Sequence, residues 1–230
     1  MILKCLSTSS AGNSFILTNN AGKHLMIEAG LPLDQLKQGI DFDIANWEGL
    51  ICSHGHTDHS LSVEKIRKMG ITTYTPYLDT EHKRLRTQIG AFQIESFPVP
   101  HNGCENRGFI IRVDGQTIMF LIDLEYMPYD VSSIPIDTLI VECNYIEDLV
   151  DGSLPNIQHK CMGHSSLEST IKIIKNCQKH LRRVYLTHAS KGVTMDKDRA
   201  IKRIYEEIPN YIQVEFFIDN VTKDISLCPF

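Results

Sequence analysis

The chain has 230 residues, 42% of them hydrophobic and 22% charged, the balance of a globular protein with one large core; a single domain spanning 1–230 is expected. No apolar run approaches the roughly 18–20 residues of a membrane helix, and Met1-Ile2-Leu3-Lys4-Cys5-Leu6 lacks the segments of a secretory signal, so a cytoplasmic protein with no membrane partner is expected. Seven cysteines without a repeated Cys-x-x-Cys spacing read as buried free thiols rather than a disulfide framework, and the net charge of −5 says little about a substrate.

Apolar runs predict strands at 2–7, 14–19 and 23–28, separated by the turn formers Ser9-Ser10-Ala11-Gly12-Asn13 and Asn19-Asn20-Ala21-Gly22. Pro32 near its start and Gly39 at its end mark a short helix, and 47–52 is a strand. A helix is predicted at 60–69 and strands at 72–75, 91–99 and 107–113, with Asp114-Gly115 turning the chain into a strand at 117–122. After a strand at 138–143, Ser165-Ser166-Leu167-Glu168 has the form of a capping box. It opens a helix with Leu167, Ile171, Ile174 and Leu181 on one face and a basic stripe of Lys172, Lys175, Lys179 and Arg182 beside it. A strand at 183–187, a helix at 195–207 and strands at 211–218 and 223–228 close the chain. Strand-rich halves, each finished by helices, predict two sheets packed face to face with helices outside, an α/β sandwich.

Residues 160–203 hold eleven Lys/Arg against Glu168, Asp196 and Asp198. That asymmetry reads either as a surface that meets an anion or as the solvated faces of two helices. Cys161, three residues before His164, reads as a packed small residue rather than a ligand.

The most informative stretch is His54-Gly55-His56-Thr57-Asp58-His59, three imidazoles and a carboxylate directly after a strand. These are ligands for zinc and its neighbours, with bonds of about 2.0–2.2 Å. In an extended turn, His54 and His56 can face one ion while Asp58 and His59 face a second, with Gly55 letting the backbone come close. A two-ion site needs about seven protein ligands. Three more candidates stand where apolar runs stop: His101 after Phe97-Pro98-Val99-Pro100, Asp123 after Phe120-Leu121-Ile122, and His188 after Tyr185-Leu186-Thr187. Any one alone reads as a structural histidine or a turn aspartate.

This order of ligands resembles the metallo-β-lactamase superfamily over essentially the whole chain. The resemblance implies an αββα sandwich holding two divalent metal ions, zinc or, at an oxygen-rich second site, manganese. It implies that His54, His56 and His101 bind the first ion, Asp58, His59 and His188 the second, and that Asp123 bridges them. The sequence departs from the family at Ile27-Glu28-Ala29-Gly30, where an aspartate is usual; Glu28 keeps the charge on a longer side chain, which puts its supporting contact to the metal loop in question.

Met162-Gly163-His164-Ser165-Ser166 and Val141-Glu142-Cys143-Asn144 resemble motifs of ribonuclease Z and the small YycJ-type nucleases. There a glutamate and a histidine cooperate over the scissile phosphate, which implies Glu142 and His164 here, with Asp58 completing the catalytic set. A histidine held cationic by a glutamate can both offset negative charge and protonate a leaving alkoxide. Without the resemblance, His164 reads as a capping or surface histidine and Glu142 as a strand-end carboxylate. The 6–14 turn resembles that of the YycJ and phosphonate-pathway phosphodiesterases, and equally a plain hairpin turn. No insertion like the tRNA-gripping arm of ribonuclease Z is visible, so tRNA processing is disfavoured.

The implied activity is a two-metal phosphodiesterase with a metal-bridging hydroxide as nucleophile. It would act on a nucleotide or nucleic-acid substrate, as a nuclease or as a cyclic-nucleotide phosphodiesterase like those of phages. A lactone or thioester hydrolase on the same metals is the alternative. Many relatives in the family are dimers, so a homodimer stands as one option beside a monomer, and the cytoplasmic setting expected above would be the host's for a phage-encoded chain.

Overall fold

The computed structural model describes residues 1–78, 85–152, 162–190 and 192–227; Lys160, Cys161, Lys191 and Cys228 at the end of the last expected strand lie outside the described residues. Strands β1 (Ile2–Ser9), β2 (Gly12–Thr18), β3 (His24–Ile27), β4 (Trp47–Ile51), β5 (Thr72–Tyr74) and β13 (Val221–Asp224) form a six-stranded sheet in the order β13-β1-β2-β3-β4-β5. The second sheet has seven strands, β6 (Leu85–Ile89), β7 (Phe92–Val99), β8 (Asn106–Val113), β9 (Gln116–Leu121), β10 (Thr138–Glu142), β11 (Arg183–Thr187) and β12 (Gln213–Phe216). Its order is β12-β11-β10-β9-β8-β7-β6.

The two-residue period of a strand decides what each face buries. In β2, Phe15 and Leu17 enter the core between the sheets, while Ile16 faces outward. In β10, Ile140 enters that same core while Leu139 and Val141 face away. The Phe15 and Phe120 rings meet edge to face across the sheets, 5.3 Å apart. The outer face of the first sheet is covered by α1 (Leu33–Gly39) and α3 (Val63–Lys68), through Leu36, Val63 and Ile66. The outer face of the second is covered by α4 (Leu167–Cys177) and α5 (Lys197–Tyr205), through Leu167, Ile171, Ile174, Ala200 and Ile204. The layers therefore run helix, sheet, sheet, helix, the α/β sandwich expected from the sequence.

Strand β9 pairs parallel with β10, β10 with β11, and β11 with β12, so all four end at one edge of the sheet. Strand β7 is antiparallel to β8 and β8 to β9, which brings the end of β7 to that edge too. This edge is where open α/β sheets place their ligands.

Several local expectations shift. The helix predicted at 60–69 is two pieces, α2 (Thr57–Ser60) and α3, parted at Ser62. Its backbone N–H donates to Ala29 O at 3.0 Å and its hydroxyl to Leu31 O at 2.7 Å, bonds that tie the break to the segment after β3. The capping residue of α4 is Ser166, which accepts from Ser169 N, so the capping box based on Ser165 is one residue early. Because α4 ends at Cys177, Lys179 and Arg182 lie beyond it and the basic stripe does not continue along one helix face. Strand β6 was not predicted: its exposed alternate positions, Arg86 and Gln88, mask the apolar pattern of an edge strand.

Candidate metal centre

The strand ends bring together His54 and His56 after β4, His101 after β7, Asp123 after β9, Glu142 on β10 and His188 after β11. Asp58 and His59 sit in the helical turn α2, where His59 N and Ser60 N both donate to His56 O at 2.9 Å; the extended turn read from the sequence is corrected here. Glu28, Asp123 and His188 hold left-handed backbone conformations, φ 63°, 51° and 51°. Such conformations cost about 1–3 kcal/mol each and persist where the surroundings enforce them.

A close approach of backbone to backbone occurs at Gly30. A Cβ on Gly30 would lie 1.7 Å from Asp58 O, whereas one on Gly55 would meet only the Tyr77 ring at 3.5 Å. Gly30 therefore lets the segment after β3 lie against the α2 turn that carries two of the candidate ligands.

His54 Nε2 lies 3.1 Å from His56 Nδ1, which lies 3.2 Å from His101 Nε2. Asp123 Oδ2 is 3.6 Å from His54 Nε2 and 3.8 Å from His101 Nε2. The edge of a tetrahedron with bonds of about 2.05 Å is about 3.3 Å, so these four donors are spaced as ligands to one cation. His59 Nε2 lies 3.2 Å from Asp123 Oδ2 and 3.5 Å from Asp58 Oδ2. Asp58, His59, Asp123 and His188 form a second group whose candidate donor atoms all lie within 4.8 Å of one another. Asp123 belongs to both groups and stands between them. His188 Nε2 is buried without a hydrogen-bond partner among the described residues, a lone pair suited to a cation.

Outer contacts fix the ring orientations. His101 Nδ1–H donates to Gly163 O at 2.7 Å, which leaves Nε2 as the donor atom. A Cβ on Gly163 would fall 2.8 Å from that same imidazole nitrogen, and its φ of 83° suits glycine. Glu28, fully buried, accepts from Ser53 N at 3.0 Å and lies 3.4 Å from His59 Nδ1, so the longer acid does reach the metal loop. Glu142, also fully buried, accepts from His164 Nδ1 at 2.7 Å, His188 Nδ1 at 2.9 Å, Leu124 N at 3.1 Å and Ser165 N at 3.2 Å.

Charge follows from these contacts. Burial and the neighbouring His59 push His54 down to about 2, and burial lowers His101, so both rings keep a lone pair at neutral pH. Burial also works against a charged His59, but Asp123 and Glu28 overcome it and raise it to about 10. Burial opposes charge on His164 as well, yet Glu142 and then Asp123 raise it to about 9. His188 is raised against its burial by Asp123 and Glu142. Free of metal, the centre thus holds protons on the rings beside its buried carboxylates Glu28, Asp123 and Glu142.

Residues 30–189 match the family model described as the beta-lactamase superfamily domain. The chain belongs to that superfamily. Solved structures sharing the fold include the metallo-beta-lactamase fold protein YhfI from Bacillus subtilis, at 15% identity and a TM-score of 0.74 over 96% of this chain and 98% of that one. The short form of human tRNase Z aligns at 16% identity and a TM-score of 0.66, covering 99% of this chain and 100% of that one. A diphosphatase of the PhnP family aligns at 16% identity and a TM-score of 0.65, covering 99% and 98%. No curated protein matches in a sequence search. Membership in this superfamily of metallo-hydrolases, with these histidine and aspartate clusters, supports a metal-dependent hydrolase with two neighbouring cation sites.

All nine residues singled out from the sequence as ligands or catalytic groups converge at this edge. Two asparagines escaped that reading. Asn13, fully buried, places Nδ2 2.9 Å from His59 Nε2 and 3.5 Å from Asp58 Oδ2. Asn144 donates from Nδ2 to His188 O at 2.8 Å. Each stands in a segment noted in the sequence, but a lone amide carries no ligand pattern. Among the described residues no helix is long and apolar enough to cross a membrane.

Proposed function

We propose that this protein is a two-metal phosphodiesterase that hydrolyses a small nucleotide phosphodiester. The observation that carries this reading is the Glu142–His164 pair, 2.7 Å apart at the margin of the metal centre. A fixed imidazolium beside two cations favours an anionic substrate over a neutral lactone or thioester, and its proton suits an alkoxide leaving group.

His54, His56, His101 and Asp123 would hold one cation, and Asp58, His59, Asp123 and His188 the other; zinc suits the nitrogen-rich set, and manganese is an option at the second. Such ions supply an acidified water and charge stabilisation. The chain's own groups do the rest. Glu142 takes the Nδ1 proton of His164 in a hydrogen bond and so directs the other ring nitrogen, as proton donor, toward the leaving oxygen. Asp58, 27% exposed against 4% for Asp123, is the more accessible carboxylate and can hold a proton from the attacking water.

The distribution of cations supports a small substrate rather than a polymer. Lys179, His180, Arg182 and Arg183 line a cavity at the start of β11, while His188 follows its end. A five-residue strand spans roughly 17 Å, so this basic cluster lies far from the centre. Lys175 is paired with Glu207 at 3.2 Å. Two structural neighbours are named for acting on tRNA and as a diphosphatase, and they share the fold at low identity.

The test is a screen of cyclic mononucleotides, linear dinucleotides, single- and double-stranded DNA, and RNA, with zinc or manganese added. The expected result is turnover of a small nucleotide that is lost in His164→Ala. Lactone turnover that survives His164→Ala, with no phosphodiester hydrolysed, would select the ester-hydrolase reading instead.

A further inference from the structure

Asp123, Glu142, His164 and His188 form a group in which one candidate donor atom from each side chain lies within 4.8 Å of the others. Asp123 and His188 also serve the second cation set, whereas Glu142 and His164 belong to neither of the sets described above. The spacing is that of a metal polyhedron. Glu142 Oε1 lies 2.7 Å from His164 Nδ1 and 2.9 Å from His188 Nδ1. Asp123 Oδ1 lies 3.3 Å from His188 Nδ1 and 3.8 Å from His164 Nδ1. These distances bracket the edge of about 3.3 Å expected between tetrahedral ligands. The two imidazole planes stand 25° apart with centroids 5.1 Å apart, and both Nδ1 atoms face the same carboxylate oxygen.

Asp123 divides its oxygens between two directions. Oδ2 is the atom near His54, His59 and His101. Oδ1 is turned toward His164 and His188 and is buried with no hydrogen-bond partner among the described residues. A buried carboxylate oxygen left without a donor is costly, and a cation removes that cost. Glu142 is fully buried and the Asp123 and His188 side chains nearly so, while the His164 side chain is 19% exposed and opens a way in.

We infer that these four side chains form a third cation seat, selective for zinc, whose filling by excess metal inhibits the enzyme. Two nitrogens and two oxygens favour zinc over manganese. A zinc ion in the seat bonds His164 through Nδ1, and the proton on that nitrogen leaves to solvent. The ring is then no longer the imidazolium that protonates a leaving alkoxide. Repulsion from the two neighbouring ions makes this the weakest of the three seats. His188 serves one cation at a time, because a neutral imidazole has a single lone pair. The inhibitory role rests on the phosphodiesterase reading; the seat itself does not.

The test titrates zinc into protein already carrying two zinc ions, counts bound metal by equilibrium dialysis and follows the His164 ring by nitrogen NMR. In the natural chain a third equivalent should bind more weakly than the first two, and the Nδ1 signal of His164 should move to that of a metal-bound nitrogen. Glu142→Gln and His164→Ala should each stop at two equivalents. His164 is the most exposed of the four, so its variant keeps the test alive if Glu142→Gln fails to fold. Turnover of the diester should fall several-fold as the third zinc binds and hold steady under the same excess of manganese. No third equivalent, or one that both variants retain, means adventitious binding only and overturns the seat while leaving the phosphodiesterase reading standing. Turnover unchanged by the third zinc overturns the inhibitory role. A third equivalent lost in both variants of a protein that hydrolyses no diester keeps the seat and overturns that reading.

Discussion

Replacing Glu142 by Gln keeps the shape of a fully buried side chain and removes its charge. In the natural chain Glu142 overcomes burial to raise His164 to about 9 from an ordinary 6.5. That difference corresponds to about 3 kcal/mol favouring the imidazolium. Without the carboxylate, burial is opposed only by the more distant Asp123, and the ring falls from about 9 toward its ordinary 6.5. A full return to 6.5 would drop the protonated fraction at pH 8 from about nine in ten to about three in a hundred, so the loss is at most roughly thirtyfold. The glutamine oxygen can keep the bonds from Leu124 N and Ser165 N, which share one oxygen of Glu142, but its amide nitrogen then faces His164 Nδ1 and His188 Nδ1 and cannot accept from them, a further loss of about 1–3 kcal/mol of folding stability. The first readout is the His164 titration midpoint, followed by NMR in the metal-free protein. The second is hydrolysis of two phosphodiesters in the loaded protein, one with a nucleoside leaving group and one with p-nitrophenolate. The nucleoside ester should slow at pH 8, by up to about thirtyfold, and the nitrophenyl ester by much less, since a good leaving group needs little help from an acid. An unmoved midpoint, or equal slowing of both esters, would refute the assignment of Glu142 and His164 as an acid pair.

Metal loading of the protein at pH 7.5 should release about one proton from His59, raised to about 10, and a further share from His188, which Asp123 also raises; calorimetry in buffers of different ionisation enthalpy reads this directly. The same linkage has a stability consequence for the metal-free form. The His59 midpoint is raised to about 10, so its contribution is complete below 6.5 and fades as pH climbs toward 10, which a series of denaturant midpoints would follow. Glu28→Ala should weaken cation binding by about ten- to a hundredfold, since it removes the acid beside His59 and the acceptor for Ser53 N. Gly30→Ala should destabilise the fold by about 3 kcal/mol and strip the second cation, because its methyl group would occupy the position of Asp58 O; thermal unfolding and metal content measure the two effects. Affinity for the substrate should vary little with salt, in contrast to a polymer that neutralises many phosphates.

Much of this centre was legible in the sequence because its ligands are chemically conspicuous and each follows an apolar run. His101, Asp123 and His188 could be placed at strand ends, and the parallel pairing of β9, β10 and β11 gathers such ends at one edge. The local form of the 54–59 loop was not legible. Its helical turn depends on where Ser62 and Gly30 meet the segment after β3, contacts that no local pattern encodes. Asn13 was equally hidden, since its importance comes from a fully buried amide set against His59. The basic stripe misled for a related reason: helical spacing extends past Cys177, but the helix does not, and the cations beyond it belong to the opposite end of the sheet.

The central claim is that two cations, gathered by Asp123, serve hydrolysis of a small nucleotide phosphodiester. Stepwise addition of zinc or manganese to the metal-free protein, with simultaneous measurement of bound metal and nucleotide turnover, tests it most directly. Turnover should rise to its full value only as the second equivalent binds and should stop rising there. Saturation at one ion per chain, or two bound ions with every nucleotide diester left intact, would contradict it.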